Sequence, residues 1–343
     1  IDGGAGTDTV FGPATDAFSS IEPVLGLETV EWIIDEAGAG HVAGISFAGM
    51  ENLTGAVDNE DTFVFEANGK LSGVVDGNTA GFDSLVLNGG TYSSVISTAT
   101  SIDSGFIVRD GETVTYAGLE PVTDNADAVS RVFDFSNLGQ TITISNDAAV
   151  NMITVDSSLG ESVTFSVVGL SSLTINAGNG VDQIIVEGLD SSFGGSLTIN
   201  AGAGDDIITI NEITGSAVYS INGDNDTNTL NVIKSDDAIL TDTSITIGDK
   251  SLDITDIDDV SFTLSELNTL DISSWTGNDP VLNASTLEDL LPGTSQSDAI
   301  TALTGALDSL NLFIDEMLDE GGDLAALSNQ LPFLDRALEG GLA

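Results

Sequence analysis

The stretch from Ser172 to Lys234 contains one unit three times, and this repetition limits the folds open to the chain. The segment Leu173–Gly178 (LTINAG) returns as Leu197–Gly202, and a looser copy begins at Tyr219, so the unit recurs about every 22–24 residues. A fixed period of this length is typical of repeat architectures, in which a unit buries its apolar face only against its neighbours. We therefore interpret the chain first as a stack of units.

Each unit contains two short segments with the pattern of β-strands. The first alternates apolar and polar residues, as in Leu173–Ile175, and the second is rich in Ile and Val, as in Ile184–Val186. Gly, Asn and Asp bound both segments at distances that leave no room for helices. Stacking would place equivalent strands in parallel, about 4.8 Å apart. The repeat predicts an all-β chain that forms a parallel β-helix, or β-solenoid, with coils of about 22–24 residues. Alternating segments at residues 152–155, 163–167 and 244–247 are expected as further coils.

The turns of these units carry a glycine and aspartate pattern close to G-G-x-G-x-D-x-U-x, where U is apolar. Residues 3–11 (GGAGTDTVF) match it best, and looser forms lie at residues 177–184 and 201–208. Glycines allow positive φ and can turn carbonyl groups toward one point, while Asp adds a charged oxygen. Because Ca²⁺ takes six to eight oxygen ligands, neighbouring turns would have to share an ion. The predicted metal ligands are Gly4, Gly6, Asp8, Asp61, Asp83, Gly178, Gly180, Asp182, Gly202, Gly204, Asp205 and Asp206.

A purely structural interpretation of the same turns stays open. Gly, Asn and Asp are good turn residues because their side chains or their backbone freedom suit tight bends without any metal. The motifs here are isolated, one to a unit, and in the third unit Asn228 takes the place of the aspartate. A full set of calcium sites is therefore not required by the pattern.

The charge of the chain excludes several classes of partner. Its 343 residues include 55 acidic and six basic side chains, for a net charge of −49. Such a chain repels nucleic acid and anionic membranes and attracts divalent cations. The absence of cysteine excludes disulfides, thiolate zinc sites and a cysteine nucleophile. No apolar run approaches the length of a membrane span, so direct membrane insertion is not expected.

Shifts in composition suggest three regions. Residues 1–122 read as a degenerate calcium-repeat β region, and a polar run at residues 123–127 separates them from a β-solenoid domain at 123–275. Residues 276–343 contain apolar residues three and four apart, which predicts a short C-terminal α-helical segment, either a cap or the start of a further domain. The first residues already lie inside a repeat unit, so we interpret the chain as part of a longer polypeptide.

The turn motifs, together with residues 116–121 and 156–165, resemble the RTX-type calcium-binding giant repetitive surface proteins and adhesins of Gram-negative bacteria. The resemblance covers about residues 1–275. It implies export to the bacterial cell surface or the extracellular space, Ca²⁺ as the bound ion, and a structural or adhesive role. Because the ends of a solenoid expose strand edges that need cover, the expected partners are neighbouring domains of the same long chain, together with self-assembly or other surface proteins.

Two classes of function remain to be compared. One is a structural module without enzymatic activity, such as an adhesin stalk, a sheath or a surface-layer component. The other is a β-helix enzyme acting on polysaccharides, or a carbohydrate-binding module. Lyases and epimerases of acidic polymers would need basic residues to bind a polyanion, and six in the whole chain are few. The chain has one histidine, His41, and shows no Ser/His/Asp constellation, so no catalytic residue is predicted.

Overall fold

The computed structural model describes residues 1–12, 29–57, 59–136, 138–213, 215–234, 236–264, 270–278 and 280–284. All regular elements in these residues are β-strands, as predicted. The strands are β1 (Thr9–Phe11), β2 (Thr29–Glu36), β3 (Ala39–Val42), β4 (Ile45–Phe47), β5 (Asn52–Thr54), β6 (Glu60–Phe65), β7 (Val74–Asp76), β8 (Ser84–Leu87), β9 (Thr91–Ser101), β10 (Ser104–Arg109), β11 (Glu112–Ala117), β12 (Val122–Asp124), β13 (Asp127–Asp134), β14 (Thr141–Asn146), β15 (Met152–Ser157), β16 (Gly160–Ser166), β17 (Ser172–Asn176), β18 (Gln183–Val186), β19 (Ser196–Asn200), β20 (Ile207–Ile210), β21 (Val218–Asn222), β22 (Thr229–Lys234), β23 (Ala238–Thr241), β24 (Ser244–Ile247), β25 (Lys250–Thr255), β26 (Asp259–Leu264), β27 (Leu270–Ser274) and β28 (Val281–Ala284).

In the described residues, the strands form two 14-stranded sheets. Sheet 1 has the order β1-β5-β7-β11-β10-β9-β13-β17-β19-β21-β25-β24-β23-β27. Sheet 2 has the order β28-β26-β22-β20-β18-β14-β15-β16-β12-β8-β6-β2-β3-β4. Most neighbouring strands are parallel, and successive strands of the repeat alternate between the two sheets. Each unit of the repeat therefore contributes one strand to each sheet.

The repeat identified in the sequence sets the register of this stacking. In sheet 1, Leu173 pairs with Leu197, and Leu197 pairs in turn with Tyr219, so identical or similar residues lie side by side. In sheet 2, Ile184 pairs with Ile208 in the same way. Like residues stack because a shift of one position would turn the whole apolar row toward solvent.

Four segments of three antiparallel strands each, which we call antiparallel excursions, interrupt the parallel stacking. The prediction that residues 152–155, 163–167 and 244–247 form simple further coils was therefore wrong. The strands β14-β15-β16 and β2-β3-β4 run antiparallel in sheet 2, and β9-β10-β11 and β23-β24-β25 do so in sheet 1. The physical reason is connection length. Parallel neighbours need a crossover of a dozen or more residues, whereas two residues, Ser158 and Leu159, join β15 to β16.

One continuous hydrophobic core lies between the two sheets. It extends from Val10 to Phe262 and takes inward-facing residues from both sheets, while the alternating Thr, Ser and Asn residues face outward. Burying an aliphatic or aromatic side chain of this kind stabilises the fold by roughly 1.5–3 kcal/mol. Trp32 belongs to this core and is fully buried against Phe63.

Both sheets continue through the residues at which a first domain boundary was predicted. Strands β12 and β13 occupy residues 122–134, and each pairs with strands on both of its sides. The predicted C-terminal helical segment at residues 276–343 lies almost entirely outside the described residues. Within the part of the chain that the structure describes, no helix has the length and apolar character needed to cross a membrane.

Candidate functional site

The predicted calcium-binding aspartates Asp182 and Asp206 are completely buried at the turns that lead into β18 and β20. Oδ1 of Asp182 accepts the backbone N–H of Gln140 at 2.8 Å, and Oδ1 of Asp206 accepts the N–H of Asp182 at 2.8 Å. The same kind of hydrogen bond continues along the stack. The N–H of Asp206 donates to Oδ1 of Asn228 at 3.2 Å, and the N–H of Asn228 donates to Oδ2 of Asp258 at 2.9 Å. We call Gln140, Asp182, Asp206, Asn228 and Asp258 the turn ladder.

A shorter ladder of the same kind lies in the N-terminal half of the molecule. The N–H of Asp61 donates to Oδ1 of Asp83 at 2.7 Å, across one unit of the stack. Asp61 itself accepts the indole N–H of Trp32 at 2.9 Å and the N–H of Ala56 at 2.8 Å. Both oxygens of Asp61 are thus already used within the protein, which makes Asp61 the less suitable of these residues as a metal ligand.

Each side chain of the turn ladder ends in two polar atoms, and at four of the five positions one of these two atoms shows whether the turn needs a donor there. At Gln140, Nε2 lies 3.3 Å from the carbonyl oxygen of Ala177, and at Asn228, Nδ2 lies 3.2 Å from the carbonyl oxygen of Asn225. An amide thus donates to turn carbonyl groups at these two positions. At Asp182 and Asp206, Oδ2 is buried and has no hydrogen-bond partner. At Asp182 and Asp206, a carboxylate oxygen occupies the position at which Gln140 and Asn228 have an N–H donor. This oxygen therefore needs a bound proton or a cation.

The pKa values of the ladder carboxyls reflect this lack of compensation. Burial raises the pKa of Asp182 to about 6, although the N–H of Gln140 lowers it, and the charge of Asp206 raises it further. Burial also raises the pKa of Asp206, the hydrogen bond from Asp182 lowers it, and the charges of Asp205 and Asp226 raise it. Burial raises the pKa of Asp83 to about 6, against the hydrogen bond from Asp61. Each of these acids favours its neutral form more than a solvated acid would.

The predicted glycines are required by backbone geometry. Gly178 and Gly202 have φ of +100° and +96°, and Gly180 and Gly204 have φ of +118° and +134°. A Cβ atom on Gly202 would collide with the carbonyl oxygen of Gly178 in the preceding turn. The glycines therefore allow the turns to stack closely, whether or not an ion is bound.

The best sequence match, at residues 3–11, forms a more open turn. Gly4 and Gly6 have φ of +80° and +138°, and space around Gly4 is free. The N–H of Asp8 donates to Oε2 of Glu51 at 2.7 Å, so a glutamate takes the place of a ladder aspartate. Oδ2 of Asp8 is enclosed without a partner. Asp205, in the later turn, is exposed, and its Oδ1 accepts the N–H of Thr227 at 2.9 Å.

The structure does not gather the predicted acids into a conventional metal cluster. Among the described residues, no three His, Cys, Asp or Glu side chains come close enough to share an ion. A cation at the turn ladder would have to take one or two carboxylates and complete its shell with backbone carbonyl groups, which Ca²⁺ accepts readily. The residue types fit such a site, because Oδ2 of Asp182 and Oδ2 of Asp206 are buried without a partner, and in other units of the turn ladder the amides of Gln140 and Asn228 contact turn carbonyl groups.

Sequence reasoning missed several buried charged residues. Arg131 pairs with Asp124 at 2.6 Å, both side chains being about 1% exposed, and it also donates to the carbonyl of Ala126 at 2.7 Å. Its guanidinium lies 4.9 Å from the centre of the Phe165 ring. The signal was present: Arg131 occupies the inward position of an alternating strand, two residues before the buried Phe133.

A groove of about 470 Å³ opens near the hairpin between β10 and β11. It contains Lys70, Glu51 and Glu112, which are the residue types of a catalytic or sugar-binding site. Both carboxylates are already engaged, since Glu112 pairs with Lys70 at 3.1 Å and Glu51 accepts the N–H of Asp8. This arrangement gives no specific support to an enzyme.

Comparisons with protein families, with curated proteins and with solved structures found no match. The function must therefore be inferred from the site and the fold themselves.

Proposed function

We propose that the chain is a non-enzymatic structural module of a large secreted or cell-surface repeat protein, built as a parallel β-solenoid. The observation that carries this proposal is the stacking of equivalent residues, Leu173 on Leu197 and Ile175 on Ile199, in parallel register. Fourteen strands at the spacing of a β-sheet would extend on the order of 60 Å. A stiff body of this length suits an adhesin stalk, a sheath or a surface-layer component.

Calcium is the proposed ion of the turn ladder. Two observations support it: the unpartnered Oδ2 atoms of Asp182 and Asp206, and the net charge of −49. Ca²⁺ bound there would neutralise carboxylates that stack one unit apart and would tie one unit to the next. The calcium-rich space outside a bacterial cell would keep such sites filled, which agrees with the proposed location.

The proposed partners are neighbouring domains of the same polypeptide, further copies of the chain, or other surface proteins. Sheets that end in unpaired strand edges need such cover, because exposed edges invite uncontrolled pairing. Nucleic acid and anionic membranes are excluded from this proposal by the charge of the chain.

Thermal unfolding tests the calcium component of the proposal. We expect the melting temperature to rise with Ca²⁺ concentration relative to a chelator, and to rise less with Mg²⁺, because a ligand bound only by the folded state stabilises it. The Asp182→Asn/Asp206→Asn variant should lose most of this response. Asp156→Asn, which removes one exposed charge from β15, should retain it.

The calcium component and the solenoid component of the proposal can be tested separately. An equal response to Ca²⁺ in the double variant and the wild type would remove the ion from the turn ladder. Small-angle scattering tests the solenoid independently, because a parallel solenoid should give an elongated particle of constant cross-section, and a compact particle would contradict it.

A further inference from the structure

Glu161 is the second residue of β16, and its carboxyl group is enclosed between the two sheets. The side chain is 3% exposed, and Oε1 and Oε2 are both enclosed without a hydrogen bond of good geometry, although the backbone N–H groups of Ser162 and Val122 lie near the carboxyl group. Strand β16 pairs with β12 and β15 in sheet 2 and packs against β9 and β10 of sheet 1. Glu161 therefore lies where the central antiparallel excursions of the two sheets meet.

No positive charge compensates this carboxyl group. The acidic neighbours are Glu120, just before β12, and Asp103, in the turn between β9 and β10; β11 contributes the hydroxyl of Tyr116. Among the other charged groups of these elements, Asp124 on β12 is paired with Arg131, and Asp156 on β15 is exposed. Arg109, at the far end of β10, stacks on Tyr92. Strand β9 has no charged residue.

The enclosure of Glu161 leaves few ways to satisfy its carboxyl group. Both oxygens are inaccessible to water, and the described acids do not form a three-residue metal cluster with it. A bare carboxylate in such surroundings is costly, and a buried acid commonly takes up a proton instead. We propose that Glu161 holds a proton in the folded protein and acts as a latch between the two excursions, which loosen when that proton is lost.

The electrostatics of the site agree with this geometry. Burial raises the pKa of Glu161 to about 8, and the charges of Glu120 and Asp103 also raise it. The nearby N–H groups of Ser162 and Val122 lower it, but not enough to offset burial. The pKa of the Tyr116 hydroxyl is also raised. Burial is the main cause, and the negative charges of Glu161 and Asp103 raise it further. A group whose folded pKa is raised stabilises the fold fully below its unfolded pKa, near 4.5, and this contribution disappears as the pH rises through about 8.

Hydrogen exchange measured by mass spectrometry tests the latch. Peptides from β9–β11 and from β16 are compared between pH 6 and pH 9 in the whole chain, after correction for intrinsic exchange rates. In the wild type, we expect the opening equilibrium of these strands to increase on the order of tenfold to a hundredfold. Glu161→Gln should abolish this increase, because the amide has the shape of the protonated acid and does not ionise. Glu187→Gln, which changes an exposed glutamate, should behave like the wild type.

The measurements are made both with a chelator and with Ca²⁺, so that ions bound elsewhere do not determine the result. A pH response of the same size in Glu161→Gln would overturn the proposal. Infrared spectroscopy gives a test that does not depend on exchange rates. A protonated carboxyl band that the wild type shows at pH 7 and loses by pH 9, and that Glu161→Gln lacks at pH 7, supports the latch. The same band in Glu161→Gln, or no band in the wild type at pH 7, contradicts it.

Discussion

At the scale of single residues, the turn ladder shows how one atom changes the requirements of a site. Asp206 and Asn228 occupy equivalent positions one unit apart and have nearly the same shape. The amide of Asn228 donates to a carbonyl oxygen, whereas Oδ2 of Asp206 is buried without a partner. The aspartate is therefore the less stable choice in the absence of a bound proton or cation.

This comparison predicts that Asp206→Asn stabilises the protein at pH 7 in the presence of a chelator. The new amide can donate as Asn228 does, and removing an unsatisfied buried group should contribute about 1–2 kcal/mol. Urea unfolding measures the change, and Asp156→Asn controls for the loss of one negative charge. A loss of stability in Asp206→Asn would show that the charged carboxylate makes a favourable contact within the fold.

At the scale of elements, the ion pair between Arg131 and Asp124 ties the sheets together. Arg131 belongs to β13 in sheet 1, and Asp124 belongs to β12 in sheet 2. Both are buried, and Arg131 also packs against Phe165 of β16. Removing only one partner of such a pair leaves an uncompensated charge in the core.

We therefore expect Arg131→Met to destabilise the protein by about 3–5 kcal/mol in urea unfolding at pH 7. The paired variant Arg131→Met/Asp124→Leu should recover much of that loss, because it removes both charges and keeps apolar volume. If the double variant is as unstable as Arg131→Met, packing against Phe165 rather than the unpaired charge of Asp124 explains the effect.

At the scale of the whole molecule, a net charge of −49 and several buried acids favour the uptake of protons or cations on folding. The pKa values of Asp83 and Asp182 are raised to about 6 in the fold, from 3.8. Their contribution to stability is complete below pH 3.8 and disappears as the pH rises through about 6. Screening by salt should lessen the general repulsion among exposed carboxylates.

We predict that, with a chelator present, the melting temperature falls as the pH rises from 4 to 7. Asp190 has the opposite effect on stability, but only at lower pH. Burial raises the pKa of its carboxyl group, but the hydrogen bonds that it accepts from Ser192 and Asn151 bring the pKa below the ordinary value. Calorimetry at constant ionic strength measures the dependence. A melting temperature that increases from pH 4 to pH 7 would mean that the buried acids are ionised and well compensated in the fold.

Part of the candidate site could be predicted from the sequence, because its turn residues are local signals. The glycines at 178, 180, 202 and 204 were expected in turns, and all have positive φ. The burial of Asp182 could not be predicted in this way, since its partner Gln140 is 42 positions away and carries no glycine motif. Asp124 and Glu161 were missed because the contacts that bury them come from other strands, whereas the alternation of β13 already placed Arg131 at an inward position.

The sequence by itself determined the all-β class, the repeat of about 22–24 residues and the register of its stacked strands. It could do so because alternation and repetition are properties of neighbouring residues, and equivalent units gain most by stacking like on like. Only the tertiary structure decided which stretches turn back as antiparallel excursions and which carboxyl groups are buried. Those outcomes depend on which distant strands exclude water from a given side chain, a property that no single segment of the chain contains.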